Sequence, residues 1–566
     1  MTASAENKTR TQSNTLVRFL PVLEWLPKYD RAWLRADLLA GLVAAAVVIP
    51  QAMAYASIAG LPVQVGLYVA LAPMLVYVLL GTSRPLSVSS TSTISMLVAS
   101  ELALVVGQAE PEAYIVPAAT LAFLVGVFLL LASFLRLGFV ANFISLPVLT
   151  GFKAGIGVVI LVGQLGKVLG LSIEKGPVFQ TLLSVLQNLG QIHWPTTALA
   201  LVTLAILLLL PRLSKRIPAA LVAVALGILA AALLNLEASG VKLVGTIPPG
   251  LPRLSLPDGS LLGALWPGAL GIALMSFVES IASARAFAGH DDPPVDANQE
   301  LFALGLANIA GGFTQAYPAG GGTSQTAVND QAGAKSQIAE VVTSAVVVVT
   351  LLFLAPLIGL MPQATLGALV LVAAAGLIKV GEFQRIARFR RIELVWALVA
   401  FAGVVVLGTL QGIVAAVIVS MLALIYLANR PPVYVVGRKP GTDAFRPLAD
   451  HPDDETFPGV LLLRSEGLLY FASAPRAIER YWAAIRQAQP RVVVLECSAI
   501  PNIEYTALRL LSDFEEKLSE AGITLWLAAL NPEALQAVEA SALGQRLTHE
   551  RMFFTLEQAV EALGWA

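Results

Sequence analysis

Glu279 stands in the run MSFVESIASARAFA among Phe277, Val278 and Ile281, where an ionised carboxylate is costly and therefore a candidate for function. Ser283 falls one turn later, at i+4 on the same helical face. Downstream, GGGTSQTA (Gly320 to Ala327) interrupts another apolar region. Three consecutive glycines, Gly320, Gly321 and Gly322, cannot continue a helix cheaply, whereas Thr323, Ser324 and Gln325 can start one, with Thr or Ser as its cap. A helix start carries roughly half a positive charge and several N–H groups without intrahelical acceptors, so the chemistry expected of it is anion binding.

A related constellation lies nearer the N-terminus. SVSSTSTIS (Ser87 to Ser95) is a second Ser/Thr-rich break, with Ser90 and Thr91 at its helix start, and Pro50-Gln51 with Tyr55 precedes it. Pro50 frees a backbone carbonyl, and Gln51 can either bond that group or face the site. Gln51 lies 40 residues before Thr91, and Glu279 lies 44 before Thr323. Thr91 lies 53 residues after Leu38 and Thr323 lies 61 after Leu262, where the two halves begin, so the chain contains an internal repeat. The half-helix starts at Ser89 to Thr91 and Thr323 to Gln325 would converge near the membrane midplane.

Gln51, Tyr55, Ser90, Thr91, Gly322, Thr323, Ser324 and Gln325 are therefore the candidate anion-binding residues, with Glu279 and Ser283 as the candidate coupling-ion site. An ionised Glu279 at about 7 Å from an anion, with an effective dielectric constant of roughly 20, opposes it by ~2 kcal/mol. Protonation or a bound cation removes that opposition, which points to cotransport of an anion with a proton, sodium being the alternative. Lys153, in an apolar surround after a break at Gly151, either faces the site or snorkels to the interface.

The elements that must position these residues are membrane helices. Of 566 residues, 57% are hydrophobic and 13% charged, with net charge −1, and mean hydropathy is +0.77. Runs able to cross about 30 Å of hydrocarbon fall near 38–59, 62–80, 116–136, 144–170, 196–211, 217–235, 262–288, 298–315, 337–359, 364–378, 391–407 and 411–428, with shorter segments at 91–106 and 323–333. That makes fourteen, seven per half, and an odd number per half inverts the second copy. Basic residues collect in alternate loops: Lys8, Arg10, Arg18, Lys28, Arg31 and Arg35, then Arg84, then Arg212, Lys215 and Arg216, then Lys335, then Lys379 to Arg391. The other loops hold Lys167, Lys175, Lys242 and Arg253, so both termini are expected in the cytoplasm. The segment before Pro27 lacks the apolar core of a cleavable signal peptide.

After Arg430-Pro431-Pro432 the pattern changes to short β-type runs alternating with helical spacing, an α/β domain over 431–566 carrying 12 basic and 18 acidic residues. The expected organisation is a cytoplasmic segment over 1–35, a transport domain over 36–430 and this tail. The tail shows no GxGxxG, phosphate loop or nucleophile–base constellation, so an enzyme is not expected, nor a cofactor. Cys497 is the single cysteine, which excludes an intramolecular disulfide. His290, Asp291, Asp292 and Asp296 are read as a solvated loop rather than a metal site, with Asp296 and Gln299 as a capping box.

Four motifs, PQAMAYASIAGLPVQVGLY (Pro50 to Tyr68), GTSRPLSVSSTSTIS (Gly81 to Ser95), DANQELFALGLANIAGG (Asp296 to Gly312) and GGGTSQTAVNDQAGAKSQ (Gly320 to Gln337), together resemble the SulP sulfate-permease family of anion transporters. The tail resembles that family's STAS domain. The resemblance implies a uracil-permease-like polytopic α-helical fold of fourteen transmembrane segments in 7+7 inverted repeats, a core domain moving against a gate domain, a cytoplasmic α/β STAS domain and a homodimer. It implies that substrate lies between the third and tenth segments, that Gln51 approaches from the first and that Glu279 holds the coupling-ion position in the eighth. Many relatives carry Arg where this chain has Gln325, and a Gly-Pro pair where it reads SSTSTIS. The sodium-dependent bicarbonate branch has Asp in place of Glu279, so Glu favours a proton. In the tail, Tyr505 stands where soluble relatives present a phosphorylatable Ser. The implied activity is secondary active transport of a small anion of the sulfate, bicarbonate or C4-dicarboxylate type by proton symport, with the lipid bilayer and a cytoplasmic protein contacting the STAS domain as further partners, and no nucleic acid. Sodium-coupled bicarbonate transport, a nucleobase permease on the same fold and a membrane sensor signalling through its tail are the alternatives.

Overall fold

A computed structural model describes residues 20–564 except 108–109, 143–144, 174–176, 214–217 and 290–291. Lys8, Arg10, Arg18, Lys175, Lys215, Arg216, His290 and Asp291 lie outside the described residues. The chain divides into two compact units, one ending at Met421 and the other beginning at Leu422.

The first unit is helical, as hydrocarbon requires of a backbone that must satisfy its own N–H and C=O groups. Its helices are α1 (Leu34–Ile58), α2 (Val63–Val69), α3 (Ala72–Leu80), α4 (Ser92–Val105), α5 (Ile115–Phe134), α6 (Leu146–Leu169), α7 (Val178–Gln187), α8 (Trp194–Leu213), α9 (Ala219–Leu233), α10 (Leu262–Ala286), α11 (Ala297–Phe313), α12 (Thr323–Gln331), α13 (Ile338–Val349), α14 (Gln363–Ala375), α15 (Val380–Phe389) and α16 (Arg391–Leu407), and α17 (Thr409–Ala428) follows with Met421 and Leu422 within it. Two short strands, β1 (Val88–Ser89) and β2 (Gly320–Gly321), precede α4 and α12. Among the described residues, eight helical stretches are long and apolar enough to cross a membrane, joined by shorter apolar helices.

Each run placed from sequence contains a helix, with informative differences. The run 62–80 is broken at Ala70-Leu71, where Pro73 opens α3. The run 337–359 passes through a π-helical turn at Thr350–Leu354. Helices α7 and α15 escape a search for long apolar runs because each keeps a polar face. Gly151 is no break: it lies within α6, where a Cβ would stand 1.9 Å from the Ala397 carbonyl oxygen of α16, so the glycine permits a close helix crossing.

The most extensive helix contacts fall into two groups, with α1 also meeting α14 across them. In one, α1 packs on α13, α5 on α10 and α11, and α3 on α11 and α13; in the other, α6 packs on α14 and α16, and α8 on α14. The pattern has the symmetry of a repeat: when the halves are exchanged, the α1–α13 contact maps onto α5–α10, and α6–α16 onto α8–α14. At one end of the unit, the Asp37 carboxylate accepts from Tyr29 Oη, the Lys335 and Ser336 amides and Ser336 Oγ, and Arg84 pairs with Asp292 at 3.2 Å. The basic loops around Lys28, Arg84 and Lys335 therefore gather together. Elsewhere the extended stretch after α9 is tied to the second half by the Val244 amide on Met361 O, Gly250 on Leu351 O and Ser255 on Phe313 O.

In the second unit, β3 (Val433–Arg438), β4 (Phe445–Pro447), β5 (Val460–Ser465), β6 (Val492–Glu496), β7 (Thr524–Ala528) and β8 (Met552–Phe553) form one sheet of order β4-β3-β5-β6-β7-β8. β5 to β8 are parallel, and β3 is antiparallel to both neighbours. Helices α18 (Ala474–Ala488), α19 (Tyr505–Glu520), α20 (Pro532–Glu539) and α21 (Ala542–Leu547) cover one face, and α22 (Leu556–Ala562) packs on the other. Arg464 and Glu496, opposite each other on β5 and β6, form an ion pair at 2.5 Å. Burial pushes the Cys497 thiol up from its ordinary value, leaving it an unreactive core residue. Tyr505 is the exposed first residue of α19.

Candidate functional site

β1 and β2 pair antiparallel, with Val88 opposite Gly321 and Ser89 opposite Gly320. Their chains leave the ribbon in opposite directions, and α4 and α12 begin three and two residues later, so both helix starts lie beside it. The glycines of β2 are explained by contact as much as by flexibility: a Cβ on Gly321 would meet Ser280 Cα at 2.9 Å and Leu86 Cδ1 at 2.8 Å. Helix α10 thus lies against the β2 backbone.

A row of serines on α10 satisfies that backbone. Ser276 Oγ donates to Ala319 O at 2.7 Å, Ser280 Oγ accepts from the Gly321 amide at 2.7 Å, and Ser283 Oγ bonds Thr323 Oγ1 at 2.8 Å. Asn308 on α11 completes the arrangement by accepting from the Ala319 amide at 2.8 Å. Buried backbone groups outside regular structure need such partners, and positions i, i+4 and i+7 share a helical face. Ser283, grouped with Glu279 in the sequence reading, therefore belongs to the surface that supports β2 and the α12 start.

Glu279 points instead towards α4 and α6. Thr91 Oγ1 donates to its Oε2 at 3.1 Å and Thr93 Oγ1 to its Oε1 at 3.0 Å, while Lys153 Nζ stands 3.1 Å from Oε1. The carboxylate is 6% exposed and the lysine side chain 23%. A buried carboxylate held by an ammonium and two hydroxyls is a compensated charge, and removing one partner of such a pair typically costs ~3–5 kcal/mol. Lys153, for which the sequence left two readings open, thus turns to Glu279. Arg285 lies exposed in the last turn of α10.

The two helix starts differ. Thr91 caps α4, accepting from the Ile94 amide at 3.2 Å. At α12 the cap position is Gly322, which supplies no side chain, in contrast to the expected Thr or Ser cap. Thr323 and Ser324 are exposed in its first turn. Gln325 is buried and sends Nε2 to Ser90 O at 3.2 Å, joining the two breaks, while Ser90 is itself fully buried. Thr326 Oγ1 accepts from the Ser87 amide and donates to Gly322 O.

From α1, Gln51 follows the buried Pro50 inside the helix, and its Oε1 is buried without a protein partner among the described residues. Tyr55 is buried one turn on. The capping residue Asp296 accepts from the Asn298 and Gln299 amides, and the Gln299 side chain reaches Leu80 O. Sequence reasoning missed Thr93, Ser276, Ser280 and Asn308. The spacing Ser276, Ser280, Ser283 was a readable polar stripe, and Thr93 stood inside the quoted break. Among the described residues no group of three or more His, Cys, Asp or Glu could hold a metal ion.

Comparison with known proteins agrees with this architecture. The sulfate permease family profile matches residues 34–400 and the STAS domain profile residues 451–559. A probable sulfate transporter of Mycobacterium tuberculosis, Rv1739c, is 38% identical over 539 residues, covering 94% of this chain and 96% of that protein. Sulfate transporter 3.1 of Arabidopsis thaliana is 30% identical over 586 residues, covering 99% and 89%. Among solved structures, the murine Solute Carrier 26 family member A9 anion transporter in the inward-facing state superposes with a TM-score of 0.88 at 24% identity, covering 98% of this chain and 95% of that one. The transmembrane domain of the cyanobacterium bicarbonate transporter BicA matches with a TM-score of 0.60 at 25% identity, covering 69% and 98%. The chain shares its overall fold with these structures and belongs to the sulfate permease family of anion transporters, with a C-terminal STAS domain.

Proposed function

We propose that the chain is a secondary active transporter that moves a small anion of the sulfate, bicarbonate or C4-dicarboxylate type together with a proton, by alternating access. The observation that carries this reading is the contrast at the two helix starts: one is closed by its own threonine around Glu279, and the other has no side-chain cap. The anion binds at the start of α12, with Thr323 and Ser324 beside it and Gln51 approaching from α1. Glu279 is the proton-accepting group. An ammonium against Oε1 disfavours sodium there, because a sodium ion would have to compete with Lys153 for the same oxygen. The relatives named for sulfate and the structural neighbour named for bicarbonate keep both anions within the class.

The group containing α1, α4, α10 and α12 acts as the moving core, and that containing α6, α8, α14 and α16 as the gate. Residues 36–430 form the transport domain and 431–566 the STAS-bearing tail, which is cytoplasmic along with the N-terminus, in a homodimer of the cell inner membrane. The cluster of basic loops around Asp37 and Arg84 supports this sidedness.

The test is uptake into proteoliposomes of labelled sulfate, bicarbonate and fumarate under imposed proton or sodium gradients. Uptake driven by a proton gradient, abolished in Glu279→Gln, is expected. Gradient-driven uptake that survives that substitution would overturn the coupling role, and uptake driven by sodium alone would overturn the choice of ion.

A further inference from the structure

The Lys153–Glu279 ion pair joins helices of different groups, since α6 packs on α14 and α16 while α10 packs on α4, α5 and β2. It also joins partners of unequal accessibility, the ammonium being the more exposed. We infer that Lys153 is a substrate-binding cation used alternately by two anionic partners, the Glu279 carboxylate when the site is empty and the transported anion when Glu279 is protonated. This rests on the proton-accepting role of Glu279 and extends it.

The exchange requires no other ionisable group. From α1, Tyr55 is buried, and from the segment before β2, the buried Tyr317 places its hydroxyl on Ser95 Oγ at 3.0 Å. At this point α4 contributes the hydroxyls of Thr91 and Thr93; its own carboxylate, Glu101, lies against Gly268, eleven residues back along α10. Helices α5 and α14 carry no ionisable side chain, and α16 has Arg391 and Glu393 in its first turn. A proton reaching Glu279 converts the carboxylate to a neutral acid, so an O–H bond forms and the ion pair loses its attraction. Lys153 remains an ammonium throughout. The empty site, carboxylate with ammonium, has no net charge, and neither does the site holding one proton and one monoanion. Moving a monoanion with one proton is then electroneutral, whereas a dianion with one proton carries net charge.

The consequence is linkage: deprotonated Glu279 and the anion compete for one cation, so anion affinity rises as pH falls, by up to about tenfold per unit. The experiment measures counterflow of whichever of labelled sulfate, bicarbonate or fumarate the full chain carries, in proteoliposomes from pH 5.5 to 8.5. For the wild type, apparent KM should rise with pH; Glu279→Gln should keep a low KM with no pH slope. The decisive variant is the double substitution Glu279→Gln with Lys153→Gln, which leaves no buried carboxylate without a partner and so protects the fold. Its KM should be at least tenfold above that of Glu279→Gln alone, and Lys153→Arg in the Glu279→Gln background should recover most of the loss. Equal KM values with and without Lys153 would overturn the inference while leaving proton coupling through Glu279 intact. A wild-type KM without pH dependence would overturn it as well, and loss of proton drive from the wild type itself would instead count against the proposed function.

Discussion

The ribbon strands β1 and β2 occupy matching places in the two halves and feed matching half-helices, yet they are built differently. Val88 keeps a side chain where its partner Gly321 has none, because α10 lies against β2. Thr91 caps α4 and, with Thr93, donates to Glu279, whereas Gly322 leaves α12 without a side-chain cap and Thr323 turns its hydroxyl to Ser283. Two helix starts of equal dipole thus meet different partners. The first is beside a carboxylate of the protein, and the second has its charge available to something from outside. The residues at the two breaks, and Glu279 where the other half has Gln51, make the two helix starts chemically unlike.

The largest effect is expected from removing the asymmetry of the ribbon. Gly321→Val would place branched carbons where even a Cβ stands 2.9 Å from Ser280 Cα, separating β2 from the serine row. Overpacking of this kind costs about 1–3 kcal/mol or more, so a fall in Tm of several degrees and loss of uptake should follow. A stable, active Gly321→Val protein would show that β2 does not need this contact. Next in size is Thr91→Val, which removes both a helix cap, worth about 1 kcal/mol, and a donor to the ionised form of Glu279. Losing a donor that serves the ionised form makes protonation easier, so the midpoint of proton-driven uptake should move to higher pH. Thr323→Val, the matching change in the other half, should leave that midpoint in place.

Much of this was legible in the sequence, and the parts that were not share a cause. Apolar run length finds α1, α5, α6 and α10 because a membrane span is defined by composition, and the Ser/Thr breaks announce themselves as polarity where none is expected. Helices α7 and α15 were not found, since amphipathic surface helices carry no such run. Spacing within one helix located Glu279 and Ser283 but not what they face: the two share a face by counting, yet they bond to different elements. Lys153 shows the limit most clearly. It lies in a different helix from Glu279, and only the packing of α6 beside α4 and α10 brings the two charges together. Gly151, read as a break, was a packing contact for the same reason: the partner that explains it, Ala397, is distant in sequence.

A smaller effect sharpens the contrast between the helix starts themselves. Proline is tolerated at the first position of a helix, where it removes one N–H without disturbing the turns that follow. The residues before both candidate positions, Thr91 and Gly322, have the extended backbone that proline prefers on its N-terminal side. Thr323→Pro should therefore keep the fold while deleting an N–H of the proposed anion site, and apparent affinity should fall about tenfold, as for a lost hydrogen bond to a charged group. Ser92→Pro makes the same deletion at α4 and should change anion affinity no more than about twofold. Equal losses in the two variants would mean that both helix starts bind the anion and that the division of roles does not hold.

The smallest effect concerns the side chain that ties the breaks together. Gln325 is buried, with Nε2 on Ser90 O at 3.2 Å, so it acts as a bridge and contributes no charge. Arginine at this position retains donors for Ser90 O and adds a cation close to the α12 start, supplementing the one that Lys153 brings from α6. The added charge acts on every anion but more strongly on a dianion, so Gln325→Arg should lower the KM for sulfate a few-fold relative to that for bicarbonate, measured by competition in the same liposomes. The direction follows from Coulomb's law, and the modest size follows from an effective dielectric constant of roughly 20 and from the bond to Ser90 that holds the side chain back. An unchanged ratio would mean that this bridge is closed to the anion, and that discrimination between singly and doubly charged substrates rests on Lys153 and the backbone amides of α12.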